Sequence, residues 1–343
     1  MNAIGTETDA VQDAPFHGGS LHWAVARFGP QPEGWLDLST GINPNAYPFR
    51  PPPISVWQRL PDIGAISALR KTAARRYGVS NPAFVIPAPG SQSLIQLLPR
   101  LRDKSNIVVL SPTYSEHAVA WRAEGHDVAE ISDIALVSNH ADVVVVTNPN
   151  NPDGRVIASS TLLNLADNLA ARGGWLVVDE AFADAQPEAS LAGNVGREGL
   201  IVLRSFGKFY GLAGLRLGFA LAPKRVADEI SVKLGPWSVA GPAIAIAGEA
   251  LADETWHAET RLHLAEAVKR LDNLLGGNGL TVVGGTPLFR FMTDARSASV
   301  FETLGRSGIL VRYFPEQQNW LRFGIPEDDA AFDRLARALD GVG

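Results

Sequence analysis

Short apolar runs alternate with helix-like segments through the middle of the chain. One run, VVVVT at residues 143–147, shows no alternation of polar and apolar positions, which is typical of a strand buried on both faces of a sheet. One intervening segment, residues 159–174, starts at Ser and ends at Gly, as helices often do. Strands and helices in alternation predict an α/β fold, in which a mostly parallel sheet forms a large domain. Seven runs are predicted as its strands: residues 84–88, 106–110, 127–131, 143–148, 175–181, 200–206 and 216–222.

The pattern changes toward the end of the chain. A long helical region at 239–275 ends at the turn GGNG. The later elements are strand-like pieces at 281–285, 287–292, 308–314 and 320–325 and helices near 297–306 and 327–340. They predict a smaller α+β domain over 276–343. The large domain is then expected at 61–275, with residues 1–60 as an arm that joins the small domain.

Composition narrows the class of protein. Of the 343 residues, 46% are hydrophobic and 19% are charged, which is typical of a well-packed globular protein. The net charge of −6 argues against a general nucleic-acid binder. The chain has no cysteine, which excludes disulfides and thiolate metal sites and fits a reducing compartment. No metal site is predicted.

Two segments bear on membrane association. Residues 1–16 are polar and acidic and lack the features of a signal peptide. Residues 237–251 are apolar, but they contain Gly and Pro and are shorter than the about 20 residues that a membrane span needs. The second segment is therefore predicted as a buried helix, and the protein as soluble and cytoplasmic.

Residues able to bind a ligand follow several of the predicted strands. In parallel α/β sheets, ligands bind beyond the carboxyl ends of the strands. The first strand is followed by PGSQS, where backbone N–H groups, Ser91 and Gln92 would hold a phosphate, unless the turn is an ordinary helix start. Tyr114 follows the second strand and offers an aromatic face, or simply packs. The segment NPNNPDG at 148–154 offers several amides, or is an ordinary loop.

Two cations and a carboxylate complete this set. Lys208 and Arg216 lie in SFGKFYGLAGLRLG, which contains no carboxylate to neutralise them. Asp179 ends an apolar run and is therefore predicted to be buried. A buried carboxylate needs a cation or hydrogen bonds, and its role is either to bind a ligand or to stabilise the fold. Pyridoxal 5′-phosphate (PLP) satisfies all of these groups. Its phosphate suits the glycine turn, Ser205 and Arg216, its ring suits an aromatic face, its pyridinium nitrogen needs an anion, and its aldehyde needs a lysine amine.

The chain resembles the class I/II aminotransferases of PLP fold type I over nearly its whole length. The motifs that carry the resemblance are Asn151-Pro-Asp-Gly, Asp179-Glu-Ala-Phe and Ser205-Phe-Gly-Lys208, followed by Arg216. The resemblance implies an aspartate aminotransferase-like fold with PLP as cofactor. The implied roles are covalent attachment by Lys208, pairing of Asp179 with the ring nitrogen, a hydrogen bond from Asn151 to the phenolic oxygen, stacking by Tyr114, phosphate binding by Ser91, Gln92, Ser205 and Arg216, and binding of the substrate α-carboxylate by Arg322.

One position departs from the pattern of that family. Many relatives have Tyr three residues after the ring-nitrogen aspartate, and this chain has Phe182. The change removes a hydrogen bond to the phenolic oxygen of the cofactor and is expected to make the lysine–cofactor linkage more basic. Phe182 therefore predicts retuned cofactor electronics.

Two N-terminal segments resemble threonine-phosphate decarboxylases of cobalamin biosynthesis, which are relatives of histidinol-phosphate aminotransferase. They are HGGSLHWAVARFG at 17–29 and LDLSTGINPNAYP at 36–48. The resemblance implies conversion of L-threonine O-3-phosphate to (R)-1-aminopropan-2-yl phosphate and CO₂. The candidate substrate-binding residues are His17, Asn43 and Arg312 for the substrate phosphate and Gly41 and Ile42 through their backbone. His17 would otherwise be a turn or capping residue.

Other functions stay open on the sequence. The nearest is a histidinol-phosphate or other amino-acid aminotransferase, and another is a PLP-binding module without turnover. The resemblance also implies a homodimer, in which Tyr47 of a neighbouring subunit is a candidate to reach the cofactor phosphate.

Overall fold

A computed structural model of the chain describes residues 18–341, which divide into two units. The larger unit is Asn45–Arg261. The smaller unit combines the described residues up to Pro44 with those from Leu262 onward. The chain thus passes from one unit to the other after residues 44 and 261. The domain boundaries predicted from the sequence are at residues 60 and 275. His17, a predicted substrate ligand, lies outside the described residues.

The strands and helices of residues 18–341 follow in chain order. The strands are β1 (Leu36–Leu38), β2 (Val85–Ala88), β3 (Asn106–Leu110), β4 (Asp127–Ile131), β5 (Val143–Thr147), β6 (Trp175–Asp179), β7 (Leu200–Ser205), β8 (Gly218–Leu221), β9 (Val282–Thr286), β10 (Phe289–Thr293), β11 (Ile309–Tyr313) and β12 (Trp320–Gly324). The helices are α1 (Leu21–Phe28), α2 (Ile54–Gln58), α3 (Ile63–Tyr77), α4 (Ser91–Leu97), α5 (Glu116–Ala123), α6 (Ser159–Ala170), α7 (Phe206–Phe209), α8 (Lys224–Leu234), α9 (Gly241–Ala250), α10 (Glu254–Gly277), α11 (Ser297–Arg306) and α12 (Asp329–Leu339).

Strands β2 to β8 form one sheet within the larger unit, in the order β2-β8-β7-β6-β5-β3-β4. Neighbouring strands pair in parallel from β4 through to β7, whereas β8 is antiparallel to both β7 and β2. Every residue of β5, β6 and β7 is buried, as expected of strands covered on both faces. The prediction of a mostly parallel, seven-stranded sheet is confirmed.

The topology brings the predicted ligand-binding residues to one edge of this sheet. The parallel strands β3, β5, β6 and β7 end at the same edge, so the residues that follow them meet there. β8 runs in the opposite direction and therefore begins at this edge. Its first residue, Gly218, pairs with Ser205 on β7 and with Ala88 on β2. The turn after β2, the end of β7 and the start of β8 are thus held side by side.

Helix boundaries follow from local sequence. α3 is preceded by Asp62, whose carboxylate accepts the Gly64 N–H, and is followed by Gly78, whose φ of 68° is the left-handed conformation that glycine adopts freely. α12 is preceded by Asp328, whose carboxylate accepts the Ala331 N–H at 2.8 Å. These caps satisfy backbone groups that the helices themselves leave unpaired.

The region predicted as one long helix at 239–275 is two helices, α9 and α10. Asp253 stands between them and accepts the Trp256 N–H at 2.9 Å, which caps the start of α10. Most residues of α9 are buried, so the prediction of a buried helix is confirmed. Across the described range, the structure contains no helix that is both long enough and apolar enough to cross a membrane.

The smaller unit is built on a second sheet, with strand order β1-β11-β12-β10-β9. β1 pairs in parallel with β11, and the other neighbours are antiparallel. The core beneath this sheet contains the buried side chains of Leu38, Val311, Phe323 and Leu335. β1 was not predicted, because three residues in a proline-rich region show no hydrophobic period.

Candidate functional site

Asp179 lies at the end of β6, where sequence analysis expected a buried carboxylate. Its side chain is 4% exposed, its Oδ1 accepts the Ala181 N–H at 3.0 Å, and its Oδ2 lies 2.9 Å from His117 Nε2. His117 is itself 1% exposed and comes from the first turn of α5. Hydrogen bonds to both oxygens fix the carboxylate at the edge of the sheet where ligand binding is predicted.

Sequence analysis missed His117. A signal was present, because His117 lies on the face of α5 that also carries Ala120 and Trp121, all of them buried. A histidine on a buried helix face needs a hydrogen-bond partner, and a strand-end aspartate can supply one. The sequence could not show that α5 packs beside the end of β6.

Lys208 lies directly after β7, on the one-turn helix α7. Phe206 and Phe209 of this helix are fully buried, whereas Lys208 is half-buried. The Lys208 Nζ lies 6.0 Å from the centroid of the Phe182 ring, at the outer limit of a cation–π contact. Phe182 is 4% exposed, so the position that is Tyr in many relatives is occupied here by an apolar face.

A glycine-rich turn lies beside the end of β7. A Cβ atom at Gly218 would come within 2.5 Å of the Ser91 nitrogen, and one at Gly90 would come within 2.8 Å of Arg216 Nη2. A side chain at Gly218 would collide with backbone atoms of Ser91, Gly90 and Arg204, so glycine is needed where β8 begins. The Arg216 guanidinium lies beside Gly90, whose φ of 83° also favours glycine. Arg216 has a φ of 51°, an unusual conformation for a residue with a side chain.

The loop after β5 uses two of its asparagines to fix its own shape. The Asn148 side chain accepts the Ile157 N–H at 2.8 Å. The Asn150 amide donates to the Pro112 carbonyl at 2.9 Å and accepts from the Thr113 hydroxyl at 2.8 Å. Asn151, the residue that the motif selects, follows directly and is half-buried at the same edge of the sheet.

Tyr114 follows β3 and forms a hydrogen-bonded chain with two neighbours. Its hydroxyl donates to Gln92 Oε1 at 3.0 Å, and Gln92 Nε2 donates to Glu116 Oε2 at 3.1 Å. The Tyr114 ring meets the His117 ring edge-on, with centroids 6.2 Å apart. Burial raises the pKa of the Tyr114 hydroxyl, and the charges of Glu116 and Asp179 raise it further.

Arg204 of β7 and two carboxylates that follow β6 form a buried ion cluster. Arg204 Nη1 donates to Glu180 Oε2 at 2.7 Å, and Arg204 Nη2 lies 2.7 Å from Asp184 Oδ1. Glu180 also accepts the Leu191 N–H at 2.6 Å. Burial opposes the charge of Arg204, but Asp184 and Glu180 raise its pKa above the ordinary value. Burial raises the pKa of Glu180, although the charge of Arg204 partly offsets this by lowering it.

In the smaller unit, two arginines lie opposite each other on adjacent strands. Arg312 of β11 pairs across the sheet with Arg322 of β12. The pKa of Arg322 is lowered to about 9, mainly by burial and also by the charge of Arg312, while Asp37 opposes this shift. Burial also lowers the pKa of Arg312, to about 10, and Glu316 opposes it. Like charges opposite each other destabilise a sheet, so a bound anion would relieve this pair.

The loop after β1 orients Arg322. The Arg322 Nη2 donates to the Ser39 carbonyl at 2.8 Å. Ser39 is held in turn, because its hydroxyl donates to Asp37 Oδ1 at 2.5 Å and accepts the Gly19 N–H at 2.7 Å. A Cβ at Gly324 would come within 2.6 Å of the Thr40 carbonyl, so the loop passes close over β12. Sequence analysis did not identify Ser39.

The predicted residues Gly41, Ile42 and Asn43 continue this loop. Gly41 and Asn43 are buried, and Ile42 is half-buried. Their contact with a substrate stays a prediction. Tyr47, in the larger unit, donates its hydroxyl to Asp253 of its own chain at 3.3 Å and packs edge-on against Trp256.

The structure therefore brings the predicted cofactor-binding residues together in the larger unit. They lie at the carboxyl ends of β2, β3, β5, β6 and β7 and at the start of β8, and they are Ser91, Gln92, Tyr114, Asn151, Asp179, Ser205, Lys208 and Arg216. The described substrate candidates, Gly41, Ile42, Asn43, Arg312 and Arg322, belong to the smaller unit. In residues 18–341 no group of histidines and carboxylates is arranged to hold a metal ion.

Known proteins resemble the chain in sequence and in fold. Residues 54–339 match the family model of aminotransferase class I and II. A threonine-phosphate decarboxylase of Pseudomonas aeruginosa is 46% identical over 329 residues, which cover 95% of this chain and 97% of that protein. A threonine-phosphate decarboxylase of Sinorhizobium sp is 43% identical and covers 94% of this chain and 97% of its own length.

A solved structure extends the likeness to the fold. The histidinol-phosphate aminotransferase from Sinorhizobium meliloti in complex with pyridoxal-5′-phosphate superposes with a TM-score of 0.75 at 23% identity, and covers 100% of this chain and 99% of that chain. The predicted fold, that of the PLP-dependent transferases, is confirmed. The chain belongs to the class I and II aminotransferase family.

Proposed function

We propose that this protein is a PLP-dependent lyase of cobalamin biosynthesis. It removes CO₂ from L-threonine O-3-phosphate and releases (R)-1-aminopropan-2-yl phosphate. Support comes from two relatives at 46% and 43% identity, each matched over nearly its whole length and each a threonine-phosphate decarboxylase by name. Membership of the class I and II aminotransferase family supports PLP as the cofactor.

The residues at the edge of the larger sheet fit PLP. Gly90 and Gly218 leave room at a turn whose N–H groups can hold a phosphate, and Arg216 borders the same turn. The buried carboxylate of Asp179 suits a protonated pyridine nitrogen, and Lys208 suits an aldehyde. Ser91 and Ser205 add hydroxyl groups beside the turn.

Each residue then has a role in the chemistry. Bound PLP supplies a cationic conjugated ring that accepts the electron pair left on the substrate Cα when CO₂ departs. Asp179 keeps the ring nitrogen protonated, and His117 holds Asp179 in place. Asn151 donates a hydrogen bond to the phenolic oxygen. Lys208 Nζ, as a protonated amine, would donate one proton to Cα, so that a proton replaces the departing CO₂.

The observation that carries the choice of substrate is the cross-strand pair of Arg312 and Arg322. Both guanidinium groups have a pKa lowered by burial, so both gain from a bound anion. L-Threonine O-3-phosphate carries two anionic groups, a carboxylate for Arg322 and a phosphate for Arg312. Holding the substrate at both groups fixes which bond to Cα is aligned for cleavage.

The alternative is a histidinol-phosphate aminotransferase, which is the activity that names the Sinorhizobium meliloti protein. Histidinol phosphate carries a phosphate but no carboxylate. A substrate with one anionic group makes less use of two arginines. An aminotransferase also binds an amino donor with carboxylates of its own, so the pair favours the decarboxylase only together with the two relatives of that name.

A homodimer and a cytoplasmic location belong to the same proposal. The larger unit exposes apolar side chains around α2, where Ile54 is 69%, Trp57 62%, Leu60 66% and Ile63 83% exposed. Apolar side chains gathered in one segment are typical of a subunit interface. Sedimentation of the purified protein would measure this, and a monomer at micromolar concentration would contradict it.

One assay tests the reaction directly. Purified protein is incubated with PLP and L-threonine O-3-phosphate, without any oxo acid. We expect CO₂ and the amino phosphate in equal amounts, together with a visible absorbance band that Lys208→Ala removes. Product that forms only with 2-oxoglutarate would instead indicate an aminotransferase. If the unsubstituted protein gives no band, PLP is not its cofactor.

A further inference from the structure

The side chain of Gln92 is committed to two protein contacts. A carboxylate can only accept hydrogen bonds, so the contact with Glu116 turns the amide nitrogen of Gln92 toward it. The amide oxygen then faces Tyr114, and the phenol O–H must donate to it. The order of donors along Tyr114, Gln92 and Glu116 is therefore fixed.

The hydrogen bonds among these three side chains join two strand ends at the proposed ligand-binding edge. Gln92 lies in the first turn of α4, after β2, whereas Tyr114 and Glu116 lie after β3. β2 and β3 are at separate positions in the sheet, so backbone pairing does not tie these two segments together. The side-chain hydrogen bonds add to the packing of α4 against α5, which also connects these segments.

The bond to Gln92 also fixes the ring of Tyr114. The hydroxyl is held at one end, and the ring edge is held by His117. A phenol that donates to an amide polarised by a carboxylate is more electron-rich, and such a ring stacks better on a cationic one.

We propose that the Gln92 side chain is a positioning residue, which holds Tyr114 against the cofactor ring instead of binding the cofactor phosphate. The proposal rests on the proposed function, because it takes PLP as the ligand. The backbone N–H of Gln92 stays available to the phosphate in either case.

Three probes separate the two roles of Gln92. PLP, pyridoxal and inorganic phosphate are titrated into the full-length protein after removal of its cofactor. The variants are Gln92→Met, Tyr114→Phe and the double variant. Pyridoxal has the ring of PLP without its phosphate, so it reports on binding of the ring. Inorganic phosphate has no ring, so it reports on binding of the phosphate. We expect Gln92→Met to weaken PLP and pyridoxal by the same factor, about 3- to 10-fold, as for loss of one hydrogen bond, and to leave phosphate binding within about twofold.

The double variant tests whether Gln92 acts through the Tyr114 hydroxyl. We expect it to bind pyridoxal no more weakly than Tyr114→Phe does, because the partner of Gln92 is already gone. Weaker phosphate binding by Gln92→Met with unchanged pyridoxal binding would overturn the proposal, as would fully additive effects. If the unsubstituted protein binds neither PLP nor pyridoxal, the proposed function fails as well.

Gln96→Met is the matched control. Gln96 lies one turn further along α4, and its amide nitrogen is 3.5 Å from the same Glu116 oxygen. We expect this variant to bind all three probes as the unsubstituted protein does. Gln92→Met is compared with a second variant if it lowers the melting temperature of the protein. That variant is Glu116→Met, which keeps Gln92 but removes the group that orients it. It must give the same selective loss of pyridoxal binding.

Discussion

Two buried arginines illustrate opposite ways of placing a cation inside this protein. In the larger unit, Arg204 contacts two buried carboxylates, those of Glu180 and Asp184, and its pKa is raised. In the smaller unit, Arg322 faces another arginine, Arg312, and its pKa is lowered to about 9. Buried carboxylates balance the first charge, whereas the second lies opposite a like charge and is proposed to bind an anionic group of the substrate. We expect the first arrangement to serve stability, and we propose that the second serves binding.

The largest expected effect comes from removing the balanced arginine. Arg204→Met leaves Glu180 buried without its cation and leaves Asp184 with only Arg76, at 3.8 Å. The change should lower the free energy of unfolding by about 3–5 kcal/mol. Urea unfolding measures this. The control is Arg197→Met, because Arg197 and Asp167 form an ion pair that is about half exposed and should contribute less than about 1 kcal/mol. Equal losses in the two variants would remove the distinction.

Arg322→Gln should affect binding and leave stability nearly unchanged. Loss of a charged partner of the substrate carboxylate should lower kcat/KM for L-threonine O-3-phosphate by about 100-fold, equivalent to about 2.7 kcal/mol. The free energy of unfolding should stay the same or rise, because a desolvated cation has been removed. Steady-state kinetics and urea unfolding give both values. A loss of stability as large as that of Arg204→Met would assign Arg322 to the fold.

Arg312→Gln should discriminate between the two anionic groups of the substrate. We expect weaker binding of L-threonine O-3-phosphate by about 10-fold or more, with binding of L-threonine unchanged within about twofold. Arg322→Gln should weaken both ligands. Spectroscopic titration of the holoenzyme measures these affinities. Equal losses for both ligands in Arg312→Gln would contradict its assignment to the phosphate.

The smallest effect is stabilisation by a simple anion. Inorganic phosphate at ten times its dissociation constant should raise the unfolding free energy of the holoenzyme by about 1.4 kcal/mol. Phosphate should raise the free energy of unfolding of Arg204→Met by the same amount, although this variant is less stable without phosphate. The variant that combines Arg312→Gln with Arg322→Gln should lose it. An undiminished increment in that variant would mean that phosphate binds elsewhere.

The sequence predicted those residues of the site that follow strands. Asp179 was identified because it ends an unbroken apolar run, and such a position fixes the edge of the sheet where the residue must lie. Lys208 was identified because it follows a predicted strand in a stretch that contains no carboxylate. The seven strands were recognised from their apolar runs. These conclusions depend on local pattern and on one rule of topology.

The contacts between side chains were not predictable in this way. His117 reaches Asp179, and Gln92 reaches Tyr114, only after strands distant in sequence have been assembled into one sheet. The opposed arginines required the register of β11 against β12, and neither strand carries a mark of that register in its own sequence. Ser39 acts on Arg322 through its backbone carbonyl, which any residue type would also provide.

The location of the arginine pair has a consequence for how specificity can be altered. Arg312 and Arg322 lie on neighbouring strands of the smaller unit, whereas Lys208 and Asp179 belong to the larger one. Variation at β11 and β12 can therefore be screened for new substrates without disturbing the residues assigned to the cofactor. The smallest library of variants that this arrangement suggests changes residue 312 alone and keeps Lys208 and Asp179. Related enzymes could diverge in substrate specificity by changes at the same position.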